Sequence, residues 1–456
     1  MRSYRWLIIT GAVIVGVAAL AIAVGAIWLN TFIHSPAFKD EVQGRASASI
    51  GGPVQIDSID FDVLHGIKLK GLVTQIDANR TGGQGALKVN VAQVNLTYSI
   101  WDLLQRKLRL TGVVLDQPQI ALTKQPTAPM QPVPASTGNA ADNSAASAAA
   151  NANGGSMFQF VLDAAKINNG SFTILDASGA TTAALQGVNA SANTSGFNEG
   201  KDVSGEVKAA QVSASNLQVT DFYTSFTYHT NYLSSKQFTA TAYSGTLKGD
   251  FLMDGSTPGP STLTLNGNSL NVAQLTAATS SSSSAQLTGS LDFQSKWRGI
   301  ETDAITGEGD AQLANGKLQG VKMLNDVGSA LKIDELKEPI ISKAITHFLV
   351  HDRQADFNGL QVTSQLFSIT GHGTVGFDGS LNADLVLVLT TQAMARLPQQ
   401  VANAFVSQSD GTGTIGFRVT GTTSNPSTDL PQRLLLQGAQ KQIKSELNKA
   451  LKSFFH

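Results

Sequence analysis

The sequence predicts a mainly β protein in which a transmembrane helix is followed by an elongated antiparallel β-sheet with helices at both ends. Three observations predict it. Leu7 to Leu29 (LIITGAVIVGVAALAIAVGAIWL) carries no charge over 23 residues. After Pro53, apolar residues alternate with polar ones in short runs, as half-buried strands do. Asparagine and glycine turn signals, such as Asn169-Gly170, Asn266-Gly267 and Asn315-Gly316, separate these runs at about ten-residue intervals.

At about 1.5 Å per residue a helix over 7–29 covers roughly 35 Å, enough to cross a bilayer core with some tilt. Arg2 and Arg5 precede it, and Trp6 and Trp28 mark its two interfaces. The positive-inside rule keeps residues 1–6 in the cytoplasm and sends the remainder across the membrane. A signal peptide has a shorter apolar core, about 7–15 residues, so the run reads as a retained anchor.

Residues 30–124 form the next segment. Ser35-Pro36 is a helix start, Phe38, Val42, Ala46 and Ile50 repeat at helical spacing, and Gly51-Gly52-Pro53 stops the helix. Strand pairs follow: Val54/Ile56, Ile59/Phe61/Val63, Ile67/Leu69, Val89/Val91 and Val94/Leu96. After the short amphipathic piece Ile100–Leu104 come Leu108/Leu110, Val113/Leu115 and Ile120/Leu122. Residues 125–156 break the pattern. Four prolines, alanines and small polar residues with the single charge Asp142 cannot offset their ordering entropy by burial. This is a flexible insertion.

Alternation resumes over 157–320, with Phe172/Ile174, Leu217/Val219, Phe222/Phe226/Tyr228, Leu263/Leu265 and Leu287/Leu291/Phe293 as apolar members. Consecutive short strands with hairpin turns imply antiparallel sheet. Counted this way, residues 54–122 and 158–420 supply roughly 25–30 strands. Residues 321–430 mix elements. A helix carries Leu324, Val327 and Leu331, and Pro339 opens a second with Ile341, Ala344, Ile345 and Phe348. A short one starts at Pro398, among the strands Phe367/Ile369, Val375/Phe377, Leu381–Leu389 and Ile415/Phe417/Val419.

The last segment, 431–456, is an amphipathic helix. On a wheel of about 100° per residue, Leu436, Ile443, Leu447, Ala450, Leu451 and Phe454 share one face, and Lys441, Lys449 and Lys452 lie opposite. Such a helix either caps the sheet's end or lies on an anionic membrane surface.

Composition excludes several classes of function. Charged residues are 14 % of the 456 and the net charge is −1, so there is no basic field for nucleic acid. With no cysteine there are no disulfides, thiolate metal sites or cysteine nucleophiles. Gly371–Gly376 and Gly411–Gly416 each spell GxGxxG. A dinucleotide site needs that loop to open a helix, and here strand follows both, so they read as repeated sheet rungs. His347 and His351 are four apart and would meet on a helix face, without the further ligands of a metal site. Asp57, Asp60 and Asp62 lack the glycine and bidentate glutamate of a calcium loop and read as solvated outer-face residues. No nucleophile elbow or phosphate loop occurs. The chain reads as a non-enzyme without cofactor.

The order of features resembles the AsmA-like family of bacterial envelope proteins. The likeness rests on the N-terminal anchor and on SPAFKDEVQGRASASIGGPVQIDSIDFDVLHGIKLKGL. It continues in LTYSIWDLLQRKLRLTGVVLDQPQIAL, with its Asp-x-Pro-x-Ile strand, and in ITGEGDAQLANGKLQGV, FSITGHGTVGFDGSLNADLVLVL and VTGTTSNPSTDL near the far end. It covers about 30–124 and 300–430. The resemblance implies a sheet curled into a U-shaped trough with an apolar inside, along which phospholipid acyl chains pass between the inner and outer membranes.

The function expected is therefore an inner-membrane-anchored periplasmic protein that binds or conducts phospholipid, with envelope or outer-membrane proteins as partners. Phe226, Leu265, Phe367, Ile369, Leu387 and Phe417 are the candidate lipid-lining residues. The alternative is a non-catalytic structural or assembly factor for outer-membrane biogenesis, its sheet filled by its own side chains. An envelope glycan hydrolase would need paired carboxylates in a cleft, and no such pair stands out.

Overall fold

The computed structural model describes residues 39–47 (without 41 and 45), 52–62, 66–77, 85–99, 102, 108–124, 160–195, 200–255, 261–279, 285–299 and 305–436. The expected anchor at 7–29, the insertion at 125–156 and residues 437–456 lie outside them. Among the described residues no helix is long and apolar enough to cross a membrane. The protein is mainly β, and it divides into two compact units, Met1–Ser235 and Lys236–His456.

The first unit holds β1 (Val54–Gln55), β2 (Ser58–Asp62), β3 (Gly66–Ile76), β4 (Ala86–Tyr98), β5 (Leu108–Thr123), β6 (Phe160–Leu162), β7 (Ala164–Leu175), β8 (Thr181–Asn193), β9 (Val203–Ala214) and β10 (Leu217–His229). β1 and β2 share β3 as partner, and antiparallel pairing then runs β3–β4–β5. Helical residues between 39 and 47 close this end. Val42 and Ala46 are fully buried against it, the Gln43 side-chain oxygen accepts from the Ile56 amide (2.8 Å), and Ser47 Oγ accepts from the Val54 amide (2.9 Å). Two edge amides that would invite a foreign strand are thereby occupied.

The sheet departs from the expected all-antiparallel order at one place. β5 pairs with β6 and β7 in parallel, and antiparallel pairing resumes through β7–β8–β9–β10. A tight hairpin cannot join parallel neighbours, which need a crossover of a dozen or more residues. Residues 124–159 are that connection. The low-complexity stretch is the covalent return from one end of β5 to the other.

A second difference concerns strand number. The sequence pairs Val89/Val91 and Val94/Leu96 are one strand, β4, and Val113/Leu115 and Ile120/Leu122 are one strand, β5. Alternation slips phase inside each because the strands bend along a common line. Gly71 (φ 62°) and Gln117 (φ 50°) flank Ala92 in register, and further positive-φ residues follow at Asn169, Gly187 and Asp221. Each local break turns the following side chains to the other parity, so Ile67/Leu69 and Leu72 face the same core. At Gly71 a Cβ would also sit on the Asp57 carboxylate, so glycine is required there twice over.

The second unit contains most of β11 (Tyr232–Ala242), then β12 (Gly245–Asp254), β13 (Thr262–Asn271), β14 (Gln286–Arg298), β15 (Thr306–Gln319), β16 (Ile340–His351), β17 (Gln354–Thr363), β18 (Phe367–Gly376), β19 (Ser380–Leu389), β20 (Val406–Ser407), β21 (Gly413–Thr422) and β22 (Pro426–Thr428). From β12 to β19 each strand pairs antiparallel with the next, and β19 then pairs with β21. The helix expected from Val321 is present as Lys322–Leu331. The second helix expected from Pro339 is strand β16. Ile341 and Ala344 both face inward because β15 carries a positive-φ residue, Asn315, opposite this point. A single phase slip gives apolar spacings of three and four, which imitate a helix. The β-branched Ile340, Ile341, Ile345, Thr346 and Val350 settle the competition for strand.

Candidate apolar binding face

Cross-strand pairing decides which side chains share a face, because directly opposed residues point the same way. In the first unit one apolar row runs Val89–Ile120–Phe172–Leu185–Val212–Val219. A second runs Leu96–Val113–Ala165–Ala192–Gly205–Phe226. Both begin inside a sealed core, where Val89 and Leu96 are 1 % exposed. Leu185 on β8 is the last residue packed against that core, and Val212, Phe222 and Phe226 beyond it are half-buried.

The second unit repeats this arrangement in reverse order. Its sealed core lies at the C-terminal end, where Val327, Leu331, Leu336, Phe405, Leu430 and Leu434 pack over β19 and β21. Toward β12 that core stops at Phe357. Leu263, Leu265, Phe293, Trp297 and Phe348 are half-buried on the same face and belong to no buried cluster.

The six lining candidates therefore share one face within their unit but not one environment. Phe367, Leu387 and Phe417 are 5 %, 2 % and 8 % exposed, filling the second core, with Ile369 packed at its margin. Phe226 and Leu265 lie on the half-buried stretches. Sequence reasoning missed Trp297, and it placed Phe348 on a helix. Their signal is a glycine on the neighbouring strand, visible only once the register is known.

That aromatic–glycine pairing gives the face its texture. Phe293 opposes Gly267, Trp297 opposes Gly307 and Phe348 opposes Gly309. A Cβ on these glycines would come within 2.3, 2.4 and 2.7 Å of the respective rings. The rings thus take the space over bare backbone, with Trp297 and Phe348 tilted 39° to each other at 6.3 Å between centroids. Several polar atoms on these stretches are satisfied internally, although the buried Thr74 hydroxyl opposite Val89 has no hydrogen-bond partner among the described residues. Trp297 Nε1 donates to Ser295 Oγ (2.9 Å), which donates to the Leu265 carbonyl (3.1 Å), and Thr224 Oγ1 and Ser235 Oγ bond each other at 2.7 Å. Around Trp297, where the indole and Ser295 donors are already engaged, the surface suits a hydrocarbon chain better than a sugar or a peptide.

The opposite face carries most of the paired charges, beside a few exposed apolar side chains such as Leu252, Leu349 and Val386. Arg418 makes a two-pronged pair with the opposing Asp384 (2.8 and 3.1 Å), which holds that carboxyl below the usual aspartate range. Asp116, the aspartate of Asp-x-Pro-x-Ile, accepts from Asn95 (2.8 Å) and Asn168 (2.7 Å) across three strands. Asp60 pairs with Lys70 (2.9 Å), as expected of a solvated aspartate, while the side chain of Asp62 lies outside the description.

His347 and His351 lie on strand β16 and not on a helix, so four residues separate them by about 13 Å. His347 bonds Asp310, and His351 bonds Asp352 and Asp356, and among the described residues no group of three or more metal-ligating side chains gathers. Hydrogen bonds donated by the His351 ring to Asp352 and then Asp356 raise its pKa above the usual histidine value. A raised folded pKa adds stability that is complete below the unfolded value, about 6.5, and fades as pH rises through the folded one. We expect the His351 ring resonances to titrate above pH 6.5, and Asp356→Asn to bring the midpoint down. An unchanged midpoint in Asp356→Asn refutes the pairing.

Gly371–Gly376 lies within β18, and Gly411–Gly416 runs from a turn at Gly411-Thr412 into β21, with no helix opening behind either. Compared with models of protein families, with curated proteins and with solved structures, the chain matches none.

Proposed function

We propose that the protein is an inner-membrane-anchored periplasmic lipid-binding or lipid-conducting protein of the AsmA-like kind, holding phospholipid acyl chains against the apolar face of a curled sheet. The observation that carries this reading is a half-buried apolar stretch in each unit, β9–β10 in the first and β12–β16 in the second; in the second the short helix Val272–Thr279 packs against β14, while Leu263, Leu265, Trp297 and Phe348 stay half-buried and join no sealed core. The aligned bends at Gly71, Gln117 and Gly187 favour it too, since repeated bulges at one level curl a sheet. Head groups would stay in water at the seam while the chains lie on the rings of Trp297, Phe293 and Phe348.

The test is extraction of the purified full chain with organic solvent and mass spectrometry of what it carries. The proposal expects co-purified phospholipid, and at least about tenfold less after Trp297→Glu and Phe348→Glu together, two burdens that an acyl chain would have to desolvate. The anchor part of the reading expects full-length protein to resist carbonate washing and a reporter after His456 to be active only outside the cytoplasm. A soluble mature chain beginning near residue 27 would show a cleaved signal peptide instead.

A structural role, the sheet serving as a rigid strut for envelope assembly, draws support from a different observation. Phe367, Leu387 and Phe417 are already packed by the protein's own helices. Under that reading the extract is free of lipid, and the double glutamate variant changes stability alone.

A further inference from the structure

In each unit the apolar face closes on one side. In the first, the row Leu122–Ile174–Ala183–Ala214–Leu217 crosses five strands, and exposure rises from 3 % at Leu122 to 47 % at Leu217. On β4 the closure spans the whole strand, where Leu87, Val89, Val91, Val94 and Leu96 are each at most 1 % exposed. Val42 and Ala46, from the helical residues between 39 and 47, belong to the same packed cluster. In the second unit the row Phe348–Phe357–Gly373–Ala383–Val419 goes from open to closed. Phe348 is half-buried, Phe357 packs at the margin of the core, and Ala383 and Val419 are buried inside it. Leu387, Leu389, Ile415 and Phe417 close more of β19 and β21, with Val327 and Leu331 of the helix Lys322–Leu331 in the same cluster.

A close-packed interior has few voids larger than a water molecule, so an acyl chain cannot thread such a core without displacing it. The Phe357 ring marks the boundary in the second unit. It fills the space above Gly373, where a Cβ would lie 2.6 Å from it, and leaves no bare backbone for a chain to follow. We propose that each apolar stretch is a blind bay: acyl chains enter and leave sideways, at the seam, and do not pass beneath β3–β5 of the first unit or beneath β19 and β21 of the second. A blind bay presupposes the lipid reading above and narrows it from conducting to holding. A phospholipid suits such a bay, since its chains are buried while its head group stays in water and never crosses a sealed core.

The test uses the unaltered full-length protein, since a bulky probe built into either core could unfold it. Phosphatidylethanolamine carrying a diazirine near the end of one acyl chain would be added to the protein in phosphatidylcholine nanodiscs and irradiated. Peptide mass spectrometry then locates the adducts, normalised to the unmodified peptides. We expect adducts on β9–β10 and on β12–β16, at yields at least about tenfold above those on β3–β5, β19 and β21. Comparable yields on β3–β5, or on β19 and β21, would show chains running beneath the cores. That result overturns the blind bay and leaves the lipid reading standing. Adducts absent from the open stretches, or equal on the inward Leu265 and the outward Thr264, would overturn the lipid reading and the bay together.

Discussion

Gly309→Val unfolds the second unit, or lowers its stability by about 3 kcal/mol or more. A Cβ at Gly309 would stand 2.2 Å from the Gln294 carbonyl and 2.7 Å from the Phe348 ring, so both a backbone and an aromatic must move. Units of this size hold on the order of 5–15 kcal/mol in total, so such a loss shows directly in a denaturant midpoint. Gly416→Ala is the contrasting variant. Gly416 closes the second GxGxxG stretch, and the nearest atom to a Cβ built there is the Leu385 carbonyl oxygen at 3.9 Å. Alanine there should be neutral or gain up to about 1 kcal/mol, because glycine is the weaker strand residue. Equal losses at Gly309 and Gly416 would refute the role assigned to the rings.

The connection between β5 and β7 should tolerate shortening down to a sharp limit. Leu108 pairs with Phe160 and Thr123 with Leu175, so the chain must travel back along the whole of β5. At about 3.3 Å per residue that return is roughly 50 Å, which about 15 extended residues only just span. Removing residues 130–144 leaves enough chain and should change neither expression nor melting temperature. Removing 127–154 leaves too little and should strip β6 and β7 from β5, exposing an edge and causing aggregation. Survival of the longer deletion with native stability would contradict the parallel pairing.

These two cases show what the sequence could and could not reveal. The mainly β class was legible because alternation is local, and the helix from Lys322 followed from its own apolar spacing, whereas Asn169-Gly170, Asn266-Gly267 and Asn315-Gly316, expected as turns, lie inside β7, β13 and β15. β16 was not, because its inward residues depend on Asn315, a bulge in a different strand. The parallel step was hidden for a similar reason. A low-complexity run states only that it lacks a core, while its length as a crossover acquires meaning once the register of β5 and β7 is known. Among the lining candidates, Phe226 and Leu265 fell on half-buried surface. Leu387 and Phe417 could not be told from them, since a residue sealed under a helix and one open to a ligand carry the same alternation. Trp297 was missed because its partner, Gly307, is defined by pairing alone.

The central claim is that the apolar face holds acyl chains, and position-specific photo-crosslinking in cells tests it most directly. A photoreactive amino acid at Phe226, Leu265 or Phe348 should capture phospholipid. Thr227, Thr264 and Arg418, which follow or precede residues of that face along their strands, should not. Capture at Leu387 and Phe417 should be weak, because helices already fill the space above them. Capture confined to the first three positions is the predicted result. Equal capture at both sets, or none at Phe226, Leu265 and Phe348, would contradict lipid carriage by this sheet.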